Sequence, residues 1–232
     1  MSDTLKVSDT CASHLCQIVA GFDTNSYFIK NDYLQNMHFQ PSTIYHIYNR
    51  GNQQQTIFYN RENYIYFLDK IKKYIFPCSD ILCWCLMPNH FHFLINANEY
   101  SCKEVPKPGI PVQYLTENIR LLLSSYTKGI QKQQGFKGNL FQQKTKAKPV
   151  SGSKNDYAFT AFNYIHQNPY KAMLVKKMED WEFSSFRDYT GNRNGHLCNK
   201  RLAENLLDLD MKNFYETSYQ VLPENDIKMI FD

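Results

Sequence analysis

The sequence predicts an α+β fold: a ferredoxin-like or RRM-like antiparallel sheet with two helices on one face, a further helix on the other, and a helical C-terminal extension. Three observations carry this. Between about residues 43 and 150 the hydrophobic period runs strand, helix, strand, strand, helix, strand. Met87-Pro88-Asn89 supplies a tight turn between the second and third strands. A later helical segment carries its own stripe and covers the face that the first two helices leave open.

Thr43-Ile44-Tyr45-His46-Ile47-Tyr48-Asn49, rich in β-branched and aromatic residues, is strand one, and Arg50-Gly51-Asn52 breaks it. Asn60 caps the first helix, whose apolar face is Tyr64, Phe67, Leu68, Ile71, Tyr74 and Ile75. Glu62 in its first turn and Lys70, Lys72 and Lys73 near its end suit the helix dipole, and Pro77-Cys78-Ser79-Asp80 stops it. Ile81 to Leu86 is strand two, paired as an antiparallel hairpin with a third strand through His90 to Ile95.

Pro106, Pro108 and Pro111 exclude regular structure from the next loop. Leu115, Ile119, Leu122, Leu123, Tyr126 and Ile130 make the second helix, with Gly135 as its stop. Thr145 to Val150 is a strand polar enough for a sheet edge. Ser153 or Asn155 caps the third helix, from about Asp156 to Gln167, and Asn168-Pro169 ends it. Trp181 and Phe186 read as a hydrophobic clasp for the C-terminal extension, in which Lys200 to Tyr219 forms one or two short helices. The organisation is therefore a loosely attached segment 1–40, a domain 41–190 and an extension 191–232.

A chain of 232 residues suits one domain with additions. It has no run of eighteen apolar residues and no basic-then-apolar leader, which points away from the membrane and to the cytoplasm. Its seven cysteines form no Cys-x-x-Cys pair, and Cys83 and Cys85 are expected buried and reduced. The net charge of +4 is unevenly spread. Between Glu117 and Asp156 there is no acidic residue, while Arg120, Lys128, Lys132, Lys137, Lys144, Lys146, Lys148 and Lys154 all fall there. With Phe136, Phe141 and Tyr157 interleaved, the block reads either as a solvated surface or as a nucleic-acid track, lysines meeting phosphates and rings meeting unpaired bases.

The chemistry concentrates in Leu86-Met87-Pro88-Asn89-His90-Phe91-His92-Phe93-Leu94-Ile95. Side chains at i and i+2 of a strand leave on one face, so His90 and His92 point together; on a helix they would diverge by about 200°. Two neutral imidazoles make two corners of a site for a divalent cation, while Phe91, Phe93 and Ile95 anchor the opposite face. On the third helix Tyr157, Ala161, Tyr164 and Asn168 recur as one stripe, placing a phenol and an amide one turn apart and able to face the histidines. Tyr126 is the rival phenol, but it falls on the core stripe of its helix. Arg50 either holds its loop or grips phosphate.

Met87-Pro88-Asn89-His90-Phe91-His92, Tyr164-Ile165-His166-Gln167-Asn168-Pro169-Tyr170-Lys171-Ala172 and Trp181-Glu182-Phe183-Ser184-Ser185-Phe186 together resemble the HUH single-tyrosine transposases, and most of all the REP-associated tyrosine transposases. The resemblance runs from about Tyr45 to Tyr189 and takes in Tyr48-Asn49-Arg50-Gly51-Asn52 and Gly138-Asn139-Leu140-Phe141-Gln142. It implies a strand transferase acting on single-stranded or hairpin DNA. In that reading His90 and His92 hold Mg2+ or Mn2+, Asn168 is the third ligand with Gln167 as fallback, and Tyr164 is the nucleophile that retains a 5′-phosphate. Arg50, Lys137, Lys144, Lys146 and Lys148 contact DNA, and the chain is a monomer rather than a homodimer that exchanges tyrosine helices. Phe141 and Lys144 stand where the family often has Trp and Arg, and His166 and Gln167 where Tyr or Ile are commoner. The competing readings are a catalytically silent nucleic-acid-binding module on the same fold, and a metal hydrolase, which needs further ligands that the sequence does not offer.

Overall fold

The computed structural model describes residues 37–106, 111–151 and 157–231. Short 3-10 turns aside, the elements in order are β1 (Thr43–Arg50), α1 (Arg61–Tyr74), β2 (Asp80–Met87), β3 (His90–Ala97), α2 (Glu99–Cys102), β4 (Glu104–Val105), β5 (Val112–Gln113) and α3 (Tyr114–Gln134). They continue with β6 (Lys146–Pro149), α4 (Ala158–Lys171), α5 (Phe186–Tyr189), α6 (Lys200–Leu207), α7 (Phe214–Ser218) and α8 (Glu224–Met229). The main sheet has the order β2-β3-β1-β6 with every neighbouring pair antiparallel. β1 and β2 therefore run parallel on either side of β3, with α1 crossing between them, and β3 and β6 run parallel on either side of β1, with α3 crossing. The fold is α+β.

The two faces divide by strand alternation. Ile47, Phe93 and Trp84 are cross-strand neighbours on one face. There Phe67 of α1 meets Phe91 at 5.3 Å and Phe93 at 6.4 Å between ring centroids, and Tyr126 of α3 meets Phe67 at 4.8 Å. Helices α1 and α3 thus share that face. Asn60 caps α1 by accepting from the Asn63 N–H at 3.1 Å, and Gly135 ends α3 with φ +69°, a left-handed conformation that favours glycine. On the other face Tyr164 of α4 packs against His92, so the sheet is covered on both sides.

α4 differs from expectation at both ends. It does not stop at Asn168 but continues through Pro169 to Lys171, where the Ala172 N–H closes on Asn168 and Met173 turns the chain with φ +55°. Proline disfavours helix at the residue before it and cannot donate to the carbonyl of Ile165, yet one missing bond in the last turn is tolerated where the ring is buried. At the start, the caps expected at Ser153 or Asn155 lie outside the described residues, and Tyr157 occupies the cap position without a side-chain bond. Pro108 and Lys154 also lie outside them. The proline loop is bracketed by the two-residue ribbon β4–β5, which periodicity does not reveal.

The described part of the N-terminal segment is docked rather than loose. Gln113 clamps Phe39, accepting from its N–H at 2.6 Å and donating to its carbonyl at 2.9 Å, and Thr116 donates to the Met37 carbonyl. Phe39 is 1 % exposed.

β6 is the polar edge at one end of the sheet. At the other end β2 is nearly all apolar, and such an edge invites association unless covered. The 181–185 segment covers it: the Leu86 N–H donates to the Phe183 carbonyl, the Ser185 N–H to the Trp84 carbonyl, and Trp181 Nε1 to the Leu86 carbonyl at 3.0 Å. Of the expected clasp, Phe186 does meet the extension, against Phe214, Tyr215 and Tyr219. Trp181 instead packs on Tyr64 and Phe183, because its indole N–H finds an acceptor at the β2 edge. Cys83 and Cys85 are buried free thiols, as expected.

Candidate functional site

The β-sheet register collects the site. Opposite His90 lie Arg50 of β1 and Met87 of β2; opposite His92 lie Tyr48 and Cys85; and β6 sets Lys146 beside Tyr48 and Lys148 beside His46. All point to one face, since directly opposed residues share a face. The turn that leads into β3 is fixed from three sides. The Pro88 carbonyl accepts from the Ile57 and Phe58 N–H groups, the Asn89 carbonyl accepts from Gly51, and the Asn89 Oδ1 lies 2.6 Å from His90 Nδ1. Gly51 has no alternative here, because a Cβ would collide with the Gln55 carbonyl oxygen.

α4 lies across this face. The Tyr164 ring stands edge-on to His92 at 5.9 Å and to His46 at 6.5 Å between centroids. Burial raises the pKa of Tyr164, and the neighbouring Tyr48 and Cys85 add to the shift. The Asn168 amide one turn on lies near enough to favour the phenolate and works the other way, although its buried Nδ2 makes no hydrogen bond of ordinary geometry.

The imidazoles form a connected set. His90 and His92 are 5.0 Å apart and nearly perpendicular. His46 Nε2 lies 2.8 Å from His92 Nδ1, and His46 Nδ1 lies 3.2 Å from the Ile230 carbonyl. Burial lowers His46 to about 4; burial and then Arg50 lower His90 to about 4; burial, His46 and His90 hold His92 well below the ordinary range. All three are neutral at pH 7, the form that donates a lone pair to a metal. Phe231 closes the cluster, edge-on to Tyr48 and Tyr164 at 5.1 Å and to His46 at 5.3 Å.

Among the expected residues, His90, His92, Tyr164 and Asn168 come to one face, with Arg50, Lys146 and Lys148 around them. Lys137 and Lys144 are exposed in the loop between α3 and β6. That loop is tied to the end of β1 through the Gly51–Phe141 bridge and the Asn52 and Gln142 N–H groups. Gln167 points elsewhere, its Nε2 donating to the carbonyls of Ser218 and Gln220. His166 is fully buried against Phe162, Phe186 and Tyr189, with Nε2 2.8 Å from Ser185 Oγ. Tyr126 is fully buried on the far face and donates to the Ile57 carbonyl at 2.6 Å.

Sequence reasoning missed His46, Tyr48 and Phe231. The first two carried the signal that singled out His90 and His92, polar side chains at i and i+2 of a strand. Phe231 carried none, because its contacts with the site are all long-range, those with β1 joining chain segments about 180 residues apart.

Among the described residues no group of three or more His, Cys, Asp and Glu side chains is placed to hold a metal. The available donors are the imidazoles of His90 and His92 and, through its oxygen, the amide of Asn168 beside Tyr164. Two nitrogens and an amide oxygen fit a divalent ion that completes its shell with water and substrate oxygens. No described helix is long and apolar enough to cross a membrane.

No family model matches the chain, and no curated protein matches it. Among solved structures, a REP-associated tyrosine transposase bound to a REP hairpin is similar, with a TM-score of 0.50 and 16% identity over 70% of this chain and 87% of that chain. At that identity the likeness is one of fold.

Proposed function

We propose that the chain is a metal-dependent transposase that cleaves and rejoins single-stranded, hairpin-containing DNA through Tyr164. The observation that carries this is the half-buried Tyr164 phenol standing over His92, beside His90, on a fold similar to that of a REP-associated tyrosine transposase. The strand order and the α1 and α3 crossings support the ferredoxin-like description of that fold. That the similar protein is bound to a REP hairpin supports hairpin DNA as the partner here.

In this reading the Tyr164 oxygen attacks a DNA phosphorus, the bond from phosphorus to the 3′-oxygen breaks, and the phenolic proton is lost as the 3′-hydroxyl gains one. The 5′-phosphate stays on Tyr164 until a 3′-hydroxyl reverses the step. Covalent capture divides the exchange into two displacements and conserves the phosphodiester bond energy. His90 and His92, with Asn168, would hold Mg2+ or Mn2+, which would polarise the phosphate and offset its developing charge. Asn168 is preferred to Gln167 because hydrogen bonds from Gln167 Nε2 to the carbonyls of Ser218 and Gln220 tie that side chain to the C-terminal segment. Arg50 beside His90, and Lys146 and Lys148 along the next strand, grip flanking phosphates, and Lys137 and Lys144 extend the track. The raised pKa of Tyr164 keeps the phenol protonated until substrate is seated. His92 and Tyr164 meet within one chain, which favours a monomer, and a DNA-processing enzyme of this kind works in the cytoplasm.

The test is a denaturing gel for a protein–DNA adduct, with labelled single-stranded hairpins and Mn2+, Mg2+ or chelator. A metal-dependent adduct is expected, and Tyr164→Phe should abolish it while leaving hairpin binding within about threefold. Full strand transfer by Tyr164→Phe would refute the assignment. Tight binding with no adduct under any metal would favour the silent binding module.

A further inference from the structure

We infer that His46 is a positioning residue: it locks His92 in the tautomer that carries its proton on Nδ1 and so presents a bare Nε2 to the site. The Ile230 carbonyl can only accept, so the His46 Nδ1 that faces it at 3.2 Å carries a proton. In the neutral ring His46 Nε2 is then a lone pair. That lone pair faces His92 Nδ1 at 2.8 Å, and two bare nitrogens would repel at this distance, so His92 Nδ1 is the donor. His92 Nε2 is left as an acceptor with no proton to lose. The two rings lie edge to edge, centroids 5.0 Å apart and planes inclined by 21°, which aligns the two nitrogens.

His90 reaches the same state by a shorter route. Its Nδ1 faces the Asn89 Oδ1 at 2.6 Å, which can only accept, so His90 Nε2 is bare as well. Two histidines fixed by different second partners thus offer the same atom. Fixing the tautomer through the other nitrogen is how proteins raise the affinity of a histidine ligand, and loss of such a partner costs about 10- to 100-fold in metal affinity. The consequence for metal rests on the proposed function; the tautomer itself does not.

The experiment uses full-length protein with 15N-labelled histidine, metal-free, and reads each ring's tautomer from long-range proton–nitrogen spectra, with His46→Gln and His92→Gln variants assigning the signals. The wild type is expected to show His92 and His46 both protonated at Nδ1. His46→Gln keeps an acceptor for His92 and a donor for Ile230, so it should preserve the His92 tautomer and Mn2+ affinity within about threefold. His46→Phe fills the space but accepts nothing; His92 should then lose its single tautomer, and Mn2+ affinity followed by the free-ion paramagnetic signal should fall about 10- to 100-fold. A wild-type His92 protonated at Nε2 overturns the inference without any variant. So does a folded His46→Phe with the wild-type tautomer and affinity. If the wild type shows the expected tautomer yet binds no Mn2+, His46 acts as inferred and the metal-dependent reading is the one that fails.

Discussion

Tyr126→Phe separates the two phenols that compete for the role of nucleophile. The Tyr126 hydroxyl donates at 2.6 Å to the Ile57 carbonyl, and both are shielded from water beneath Phe58, Phe67 and Phe141. Removing the oxygen keeps the ring and opens almost no cavity, so the cost is that of a buried carbonyl left without its partner, about 1 to 3 kcal/mol. Taking about 2 kcal/mol, the melting temperature should fall by about 4 to 8 °C for a chain of this size. With a urea m-value of about 2 kcal/mol per molar, the midpoint should fall by about 1 M. Equilibrium urea unfolding reads this directly. Adduct formation should stay within a few-fold of wild type, because Ile57 reaches the site only through its hold on Pro88. An unchanged midpoint would refute the hydrogen bond. Loss of the adduct at unchanged stability would return Tyr126 to contention as the nucleophile.

Lys146→Gln and Lys148→Gln should each weaken binding of any hairpin and lower the slope of log affinity against log salt by about 0.7 to 1, as expected for one phosphate contact. Fluorescence anisotropy across a salt series checks this, and an unchanged slope would remove that lysine from the track. A second expectation concerns pH. Burial pushes the Cys78 thiol up to about 12 and also holds Cys83, Cys85 and Cys198 well above the ordinary thiol range, all above the unfolded value of about 8.5. Above pH 8.5 the unfolded chain sheds these protons and the folded chain keeps them, so stability is lost as pH rises from about 8.5 towards 12. Urea midpoints measured from pH 8 to 10.5 should therefore decline, and a level profile would contradict the burial.

What the sequence makes legible follows the range of the interactions. Period-two alternation places His90 with His92 and separates them from Phe91 and Phe93 without knowledge of the neighbouring strands. The Asn60 cap and the Gly135 stop are equally local. The pairing of Tyr48 with His92 and of Lys148 with His46 belongs to strand register, which the rest of the sheet determines. Pro169 misleads for the same reason: local preference ends the helix at Asn168, whereas burial of the ring carries it one turn further. The cover on β2 and the contacts of Ile230 and Phe231 with β1 join segments about 100 and 180 residues apart, and no motif in either partner announces them.

In the proposed reading, His166 and His92 differ by what the second ring nitrogen meets rather than by burial. Both are buried, and burial holds both neutral, His166 at about 3. His166 spends Nε2 on Ser185, which also bonds the Trp84 backbone, so that ring is a strut under the cover of the β2 edge. Its Nδ1 is enclosed by aromatic rings and meets no partner among the described residues. His92 spends Nδ1 on His46, and its remaining nitrogen belongs to the face shared with His90 and Tyr164. Replacing His166 should therefore act through stability, and replacing His92 through metal affinity, although burial alone would rank the two alike.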